Sequence, residues 1–539
     1  MARASLGLVA LWLLALGCSD GDAKHRNPVG GGSGTTPTVA SCKAEGGSAT
    51  VSEPVLSGEL FGDSGYAWLG SPAVADLDGD GTVEILAAHE SLVTWHADGT
   101  EVWRFDEVSD AGRVWAGVLV ADFRDDAQLE VVVAARDKIW MLDAKGQVLS
   151  GWPVTWKDEV RSLAAGDVNG DGQLDVVVAS TDSDTDILSA YSAGGDRVDG
   201  FPPVASGTIG CDAGTNCWIA GAYDQNLAVG DLDGDGTADI IAPTDNAYAG
   251  FYHGSGEAFD ANPMFAERPK TPGVRYLHDL ALAKQGWAED EATALQAHFT
   301  NTAPAIADLN GDGKYEVIML GSVQNASQED RFKGVGLWAL HSDASRLAGW
   351  ETPFHAPDYV FGLWDFDEDN AVGATNQVTV ADIDADHAGP ELIFAGFDAR
   401  LHAVTADKQE LWAVTYAGDD RVLTGGVVVG DLSKDGIPEL VLATYSPDDD
   451  RSDLMVFDAG GNLLHQVPLG EHGAAVPTLA DVDGDGAAEI VVSLRKVYWD
   501  GSEPAVQIYD VDSSGTSCLL WPTGRANYLR NGWVRQASP

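Results

Sequence analysis

The sequence has few basic residues for its length. It contains 31 Lys and Arg residues against 84 Asp and Glu residues, which gives a formal net charge of −53 at pH 7. A surface of this sign repels phosphate backbones and anionic membranes. We therefore expect no nucleic-acid partner. The acidic excess fits either a solubilising surface or carboxylates that hold cations, and their spacing decides between the two.

Long apolar runs are also missing, apart from one at the N-terminus. The run from Leu6 to Gly17 follows Met1 and Arg3, and it is shorter than the ~20 residues of a membrane span. It predicts a signal peptide over residues 1–17. The run ends in LALGC, which resembles the bacterial lipobox, so Cys18 is the predicted lipidated residue.

Residues 18–49 are then expected to be the lipidated cysteine and a flexible linker, because the segment after Cys18 is rich in Gly, Ser, Thr and Pro. The expected location is the bacterial cell envelope, at the outer membrane or cell surface. The only expected membrane contact is through the lipid. The alternative is plain secretion with a free cysteine.

Cysteine is scarce, with five residues in the whole chain. After Cys18 an even number remains, which suggests disulfides in an exported chain. Cys211 and Cys217 bracket a short loop that a bridge could close. Cys42 and Cys518 lie near the two ends of the folded part, where a bridge would suit a ring-shaped fold. The alternative for this second pair is two free thiols.

What the sequence does have is one acidic pattern in eight copies. Each copy reads as an apolar run, an acidic loop and a second apolar run, as in PAVADLDGDGTVEILAA. A hairpin pattern with a polar turn follows each copy, as in VTWHADGTEVW and, last in the chain, VQIYDVDSSGTSCLLWP. The acidic loops begin at Asp76, Asp122, Asp167, Asp231, Asp308, Asp382, Asp431 and Asp481.

Each unit is predicted to form four short antiparallel strands, and repeats of about 40–50 residues with four strands are typical of propeller blades. The predicted fold is all-β, a β-propeller of eight blades over residues 50–539. The alternative is seven blades, with the copy at Asp122 or one terminal unit set apart. Insertions interrupt the repeat at residues 205–226, near 255–300 and at 321–378, and the second has helical character between Leu277 and Phe299.

The acidic loops have the ligand types and spacing of a calcium site. In the first loop Asp76, Asp78, Asp80 and Glu84 occupy positions 1, 3, 5 and 9, and Thr82 offers its carbonyl at position 7. Calcium takes about six to eight hard oxygen ligands, whereas magnesium keeps its waters. Softer metals are not expected, because the loops hold no Cys and one His, His387, off the ligand positions. The same ligand set recurs as Asp167, Asn169, Asp171 and Asp175; as Asp231, Asp233, Asp235 and Asp239; as Asp308, Asn310, Asp312 and Glu316; and as Asp481, Asp483, Asp485 and Glu489.

Three loops depart from this set. One loop replaces a carboxylate by a hydroxyl, and its ligands are Asp431, Ser433, Asp435 and Glu439. Another has an extra residue before its last ligand, and its ligands are Asp382, Asp384, Asp386 and Glu391. The third has Arg124 at position 3, between Asp122, Asp126 and Glu130. Its guanidinium can replace the cation, so we expect that loop to be metal-free. The prediction is calcium in five to seven loops, with a structural role.

The repeat PAVADLDGDGTVEILAA resembles the FG-GAP repeat of integrin alpha-subunit propellers and the related bacterial VCBS-type repeats. The resemblance covers nearly all of residues 50–539. It implies a propeller with calcium in the loops between the first two strands of a blade. The closing WPTGRANYLRNG is similar to the end of many bacterial members. Repeat number and insertions differ from those of integrins, so integrin partners do not carry over.

Two functions remain after these predictions. The first is a calcium-stabilised cell-surface binding or adhesion module for a protein or glycan, with inserted aromatics as flat contact surfaces: Tyr276, Trp287, Trp350, Tyr359, Phe361 and Trp364. The alternative is a polysaccharide-active, lyase-like enzyme on the same propeller. The sequence has no H-E-x-x-H, G-x-S-x-G or P-loop motif. We therefore expect no enzyme, and assign no catalytic residue.

Overall fold

The structure is a computed structural model. It describes residues 41–62, 70–112, 114–180, 187–203, 226–244, 247–265, 268–285, 294–299, 302–325, 333–359, 376–416, 422–445, 451–469, 473, 475–494 and 504–535. These residues form an all-β propeller of eight blades, each a sheet of antiparallel strands, and so confirm the predicted fold and blade number.

Blades 1 to 4 follow one another in sequence, with their strands ordered from the centre of the ring outwards. Blade 1 comprises Ala73–Ala75, Glu84–Ala88, Leu92–Trp95 and Glu101–Phe105, and blade 2 comprises Leu119–Ala121, Glu130–Ala135, Lys138–Leu142 and Val154–Thr155. Blade 3 comprises Val160–Gly166, Asp175–Ser180 and Leu188–Tyr191, and blade 4 comprises Ala228–Gly230, Asp239–Pro243 and Ala249–Tyr252. Single bridges, Tyr191 to Arg197 and Tyr252 to Ala258, mark the fourth strand in blades 3 and 4.

Blades 5 to 8 follow in the same order. Blade 5 comprises Ala305–Ala307, Glu316–Gln324, Val335–Leu340 and Phe354–Ala356, and blade 6 comprises Thr379–Ala381, Glu391–Ala395, Arg400–Val404 and Glu410–Thr415. Blade 7 comprises Val428–Gly430, Glu439–Tyr445, Asp453–Phe457 and Leu463–Pro468, and blade 8 comprises Thr478–Ala480, Ala488–Ser493, Val506–Val511 and Val55–Leu60. Short extra strands are Gln296–His298, Thr302–Ala303, Asn376–Gln377, Leu423–Thr424 and Leu519–Trp521.

Helices are few and short in the described part of the chain. They are the α-helices Glu107–Ala111 and Leu280–Ala283, and the 3-10 helices Pro263–Phe265 and Thr271–Gly273. Among the described residues between Leu277 and Phe299, the predicted helical character holds for the turn Leu280–Ala283, whereas Gln296–His298 pairs as a strand with the long second strand of blade 5. Within the described ranges, no helix has the length and apolar character needed to cross a bilayer.

The second strand of each blade is buried along its whole length or nearly so, which explains its near-continuous apolar sequence. Glu130–Ala135 and Asp175–Ser180 are both fully buried, for example. A strand between two others in one sheet also packs both its faces against the neighbouring blades, so both sets of alternating side chains must be apolar. The apolar cores accordingly lie between successive blades.

Tryptophans on fourth strands, or just before them, join one blade to the next. The indole Nε1 of Trp103 donates to Ala144 O at 3.0 Å, and that of Trp152 donates to Ala193 O at 3.0 Å. Trp350 and Trp412 repeat this bond, to the carbonyls of Ala406 and Ala459, at 2.8 Å each. In each case the acceptor lies in the turn between the third and fourth strands of the following blade. The recurring Trp in the hairpin sequences therefore fixes the angle between blades.

The two ends of the chain close the ring together. Val55–Leu60 pairs antiparallel with Val506–Val511 and so supplies the outer strand of blade 8. The predicted fourth strand from the C-terminal hairpin pattern is wrong, because Leu519–Trp521 pairs instead with the first strand of blade 7. An N-terminal strand in the last blade prevents the ring from opening without breaking a sheet.

A disulfide joins Cys42 to Cys518 and holds these two closing segments together. Close to it, the amides of Glu45 and Gly47 both donate to Lys434 O, which fixes the N-terminal segment on blade 7. Cys211 and Cys217 lie outside the described residues.

Replacing both Cys42 and Cys518 by serine should lower the free energy of unfolding by about 2–4 kcal/mol, because the bridge closes a very long loop of the unfolded chain. Chemical denaturation measures this directly. Dithiothreitol should reproduce the loss in the wild-type protein and leave the double variant unchanged. An equal effect of the reductant on both proteins would contradict the structural role of this bridge.

The segment after Leu519–Trp521 fills the centre of the ring. Carbonyls of this segment accept from first strands around the ring: Pro522 from Leu479, Tyr528 from Val120, Leu529 from Ala165, Asn531 from Val229 and Gly532 from Ile306. We call residues 522–534 the axial segment. It pairs with blade after blade, so it seals the channel that a ring of blades would otherwise leave open.

Candidate metal centre

The acidic loops join the first strand to the second strand in every blade, so all eight lie on one face of the ring. The last acidic residue of each loop opens the second strand, and one of its carboxylate oxygens accepts a hydrogen bond from the amide at loop position 2. This bond is present in all eight blades, from Leu77, Phe123, Val168, Leu232, Leu309, Ile383, Leu432 and Val482, at 2.7 to 3.1 Å. The repeat therefore encodes one loop conformation.

The first aspartate of each loop turns the chain back on itself. In blade 1, Asp76 Oδ2 accepts from the amide of Gly81 at 3.0 Å, and in blade 4 Asp231 Oδ2 accepts from Gly236 at 3.1 Å. Gly81 has φ of 94°, a left-handed conformation that glycine adopts without a steric penalty. Gly at loop position 6 therefore suits this turn, although Ala127 adopts it in blade 2 with φ of 66°.

In three blades the loop carboxylates come close enough to share one ion. Ligand oxygens lie within 4.8 Å of one another in blades 1, 4 and 8: Asp76, Asp78 and Asp80; Asp231, Asp233 and Asp235; and Asp481, Asp483 and Glu489. Carboxylates at this separation repel one another strongly without a cation. These three loops match the predicted ligand positions.

The last carboxyl of each loop is buried, which raises its pKa. Burial, together with the charge of Asp233, raises the pKa of Asp239 to about 8, and burial raises that of Glu489 to about 8. The Glu391 Oε1 atom is buried with no hydrogen-bond partner among the described residues, whereas Asp239 Oδ1 and Glu316 Oε1 lie 3.4 Å from histidine Nδ1 atoms. A buried, unpartnered carboxylate oxygen that faces other acids fits a bound cation, which would supply the missing partner and favour the ionised form.

Three other loops have a different side chain at position 3, an amide, a hydroxyl or a guanidinium, in the same loop conformation. In blade 3 the Asn169 side-chain amide donates to Asp175 Oδ1 at 3.1 Å, and in blade 7 Ser433 Oγ donates to Asp431 Oδ1 at 3.3 Å. In blade 2 Arg124 Nε lies 3.9 Å from Glu130 Oε1. That arrangement is compatible with the predicted replacement of the ion by a guanidinium, which stays a prediction.

The sequence analysis missed three histidines that face the loops. His96, His253 and His341 each begin the turn between the third and fourth strands of a blade, and this turn lies against the acidic loop. Their Nδ1 atoms lie 3.7, 3.4 and 3.4 Å from the last carboxylates of the loops, Glu84, Asp239 and Glu316 respectively. His253 also lies 3.5 Å from Asp233 and stacks on Phe259, with 3.7 Å between ring centroids. The sequence analysis considered only the histidine within a loop, His387, because it treated each loop alone.

Loss of the cation should make stability depend on pH. Asp239 and Glu489 ionise near pH 4 in the unfolded chain but with a pKa of about 8 in the fold. Between these values the folded state binds more protons, so the metal-free protein should lose stability as pH rises from about 4 to 8. Melting curves in EDTA across this range measure the slope, and saturating calcium should remove it. A metal-free protein that gains stability over this range would contradict the assignment.

A polar groove opens on the same face, between blades 3 and 4. Its volume is about 850 Å³, and Asn169, Asp199, Asp235 and His253 are among its lining residues. Asp235 belongs to the acidic loop of blade 4 and His253 to the turn beside it, so the groove adjoins this acidic loop. Arg197, also on the groove, lies over the rings of Trp156 and Tyr191, at 4.9 and 5.9 Å from their centroids.

The prediction of aromatic contact surfaces is wrong for Tyr276 and Trp350. Tyr276 and Trp350 are 1% exposed and belong to the cores between blades. Tyr359 is half-buried and packs edge-on against Phe397, with 6.2 Å between ring centroids. Trp287, Phe361 and Trp364 lie outside the described residues.

The fold and these loops define the class of the protein: an eight-bladed β-propeller with repeated acidic loops. Residues 160–196, which form most of blade 3, match the model of the FG-GAP repeat family. Blade 3 thus carries an FG-GAP repeat. A comparison with curated proteins found no match.

Solved structures with a similar arrangement are distant in sequence. The V. cholerae biofilm matrix protein Bap1 is 14% identical over 90% of this chain and 97% of its own, with a TM-score of 0.42. A rhamnogalacturonan lyase of Bacillus licheniformis is 16% identical over 86% of this chain and 75% of its own, with a TM-score of 0.43. BBS1N, solved in complex with ARL6DN, is 10% identical over 86% of this chain and 98% of its own, with a TM-score of 0.42.

Proposed function

We propose that the protein is a calcium-stabilised cell-surface module that binds a protein or glycan ligand in the groove between blades 3 and 4. Calcium in the acidic loops would hold the ring rigid, and lipidation at Cys18 would anchor it. The observation that carries the proposal is the joining of a large polar groove to an acidic loop through Asp235 and His253. A site of this kind binds a ligand only when the loop that forms one of its walls is fixed.

The chemistry of the groove suits a polar ligand such as a glycan. Ser192, Asp196, Asp199 and Ser255 supply hydroxyl and carboxylate groups along its length, and these pair well with sugar hydroxyls. Arg197 is exposed, and its position above Trp156 restricts its rotamers. A side chain held in place in this way loses less entropy on binding.

Export is supported by the disulfide. A bridge between Cys42 and Cys518 persists in an oxidising compartment, outside the cytosol. Growth with labelled palmitate, followed by comparison of the wild-type protein with Cys18→Ser, tests the anchor. Equal labelling of both proteins would contradict it.

A glycan array probed with calcium-loaded protein tests the binding function. We expect hits whose affinity falls by about tenfold or more, or ~1.4 kcal/mol, in Arg197→Ala and in EDTA. Lys138→Ala is the matched control, because Lys138 also lies over a tryptophan ring, Trp140, but on blade 2 away from the groove. Hits that bind Arg197→Ala as well as the wild type would contradict the groove assignment.

The same ligands distinguish binding from the enzyme alternative. A binding module leaves an uronate-containing hit intact on long incubation, whereas a lyase releases unsaturated sugar products that absorb ultraviolet light. Product that accumulates in proportion to wild-type protein would replace the binding assignment by the enzymatic one.

A further inference from the structure

A small cavity lies on the axis of the ring, on the face opposite the acidic loops. Its lining residues from the blades lie before the first strands or in their first half, as Ser71 precedes Ala73–Ala75 and Gln377 precedes Thr379–Ala381, whereas the acidic loops follow those strands. The axial segment forms its floor through Gly524, Arg525 and Arg530. The cavity is therefore separate from the candidate metal centre and from the groove.

The charge of this cavity is opposite to that of the protein. Arg161, Arg525 and Arg530 line it, and no Asp or Glu is found among its described lining residues. The chain has 84 acidic and 31 basic residues, so these guanidinium groups form a local positive charge in a protein of negative net charge. An anion that enters is attracted by the arginines and is repelled elsewhere on the surface.

Two of these arginines are held in place by contacts within the fold. Arg530 donates to the carbonyls of Val118, Gly524, Ser71 and Pro72 at 2.9 to 3.1 Å. Arg161 pairs with Glu159 at 2.9 Å and stacks on Trp115, with its Cζ 3.6 Å from the ring centroid. They hold positive charge at the cavity without needing a ligand.

Arg525 differs, because it keeps free donors. Its side chain is 6% exposed, and its Nη2 donates to the carbonyls of Leu227 and Pro304. Its Nε and Nη1 atoms are buried and have no hydrogen-bond partner among the described residues. A buried guanidinium with two unpartnered nitrogens, which together carry three N–H groups, is costly unless an acceptor arrives.

We propose that this cavity binds a carboxylate, or an oxyanion of similar size, on the free donors of Arg525. A carboxylate oxygen accepts a strong, charge-assisted hydrogen bond from a guanidinium N–H. The cavity volume of about 30 Å³ is roughly that of a few water molecules, which suits one carboxylate group, so the rest of a larger acid must lie outside the cavity. The amide side chains of Asn226 and Gln377, which also line the cavity, can donate to the same oxygens. The carboxylate belongs either to a free small acid or to an acidic sugar, and the site chemistry is the same for both.

The test is calorimetric titration of the calcium-loaded, full-length folded protein with acetate and with D-galacturonate, at matched ionic strength in sodium chloride. Asn226→Asp places a carboxylate inside the cavity and leaves every contact of Arg525 in place. It should weaken binding of both probes by at least tenfold, as should Arg525→Met if that variant folds. Gln128→Glu, which adds a charge at an exposed position on the opposite face, should bind as the wild type does.

The two probes identify the source of the carboxylate. Equal affinities indicate a free small acid, and an affinity at least tenfold higher for D-galacturonate indicates a sugar-borne carboxylate. Absence of binding of either probe to the wild-type protein overturns the proposal. Unchanged binding by folded Asn226→Asp overturns it as well. Neither result bears on the groove, which is tested through Arg197.

Discussion

EDTA is expected to lower the melting temperature of the protein by about 10 °C. A loop filled at a calcium concentration of 100 times its Kd stabilises the fold by ~2.7 kcal/mol. Five such loops together contribute roughly 13 kcal/mol, against an unfolding entropy of about 1 kcal/mol/K for a folded region of this size. Differential scanning calorimetry with and without EDTA measures the shift.

Matched loop variants show whether the shift comes from the acidic loops. Asp235 and Asp126 both occupy position 5 and accept the amide two residues on, from Thr237 at 2.8 Å and from Gln128 at 3.0 Å. Asp235→Asn should reduce the calcium-dependent stabilisation by ~2.7 kcal/mol, the contribution of one filled loop. Asp126→Asn lies in the loop predicted to be metal-free and should leave it unchanged. Equal losses in both variants would contradict the assignment of ions to loops.

The second large effect is expected from Arg530. Replacement by Met should lower the free energy of unfolding by about 3–5 kcal/mol, because buried carbonyls of blades 1 and 2 and of the axial segment lose their donor. Arg530 is 3% exposed, and its guanidinium donates to Val118 O at 3.1 Å, Ser71 O at 3.0 Å and Gly524 O at 2.9 Å. Urea denaturation measures the loss.

A surface arginine provides the control for Arg530→Met. Arg104 pairs with Glu101 at 2.7 Å on the outer strand of blade 1, and exposed pairs contribute about 1 kcal/mol or less. Arg104→Met should therefore change stability little. Similar losses in the two variants would show that the axial segment does not hold the blades together.

The sequence was sufficient to predict the blades because their signals are local. The alternation of apolar run, acidic loop and hairpin repeats within each unit, so eight copies predicted the strand type and favoured eight blades over seven. The position of each predicted loop ligand followed from the same local pattern. In all eight loops the amide at position 2 donates a hydrogen bond to the last carboxylate, which explains the recurring spacing between these two positions.

The features that sequence reasoning missed depend on contacts between distant residues. Val55–Leu60, from the N-terminal end, supplies the outer strand of blade 8, and Leu519–Trp521, from the C-terminal end, pairs with blade 7 instead. His253 reaches Asp239 from a neighbouring turn, although a histidine at the same turn position in three blades was a readable signal. Tyr276 and Trp350 lie in insertions or at blade edges yet pack into cores, since large apolar side chains fill the space between blades.

The central claim is that the acidic loops hold divalent cations, and counting the bound ions tests it most directly. The protein would be dialysed against a chelating resin and then against trace calcium, and its metal content measured by atomic emission against protein concentration. We expect five to seven calcium ions per chain. A chain that remains folded and retains no more than one ion at saturating calcium would contradict the account.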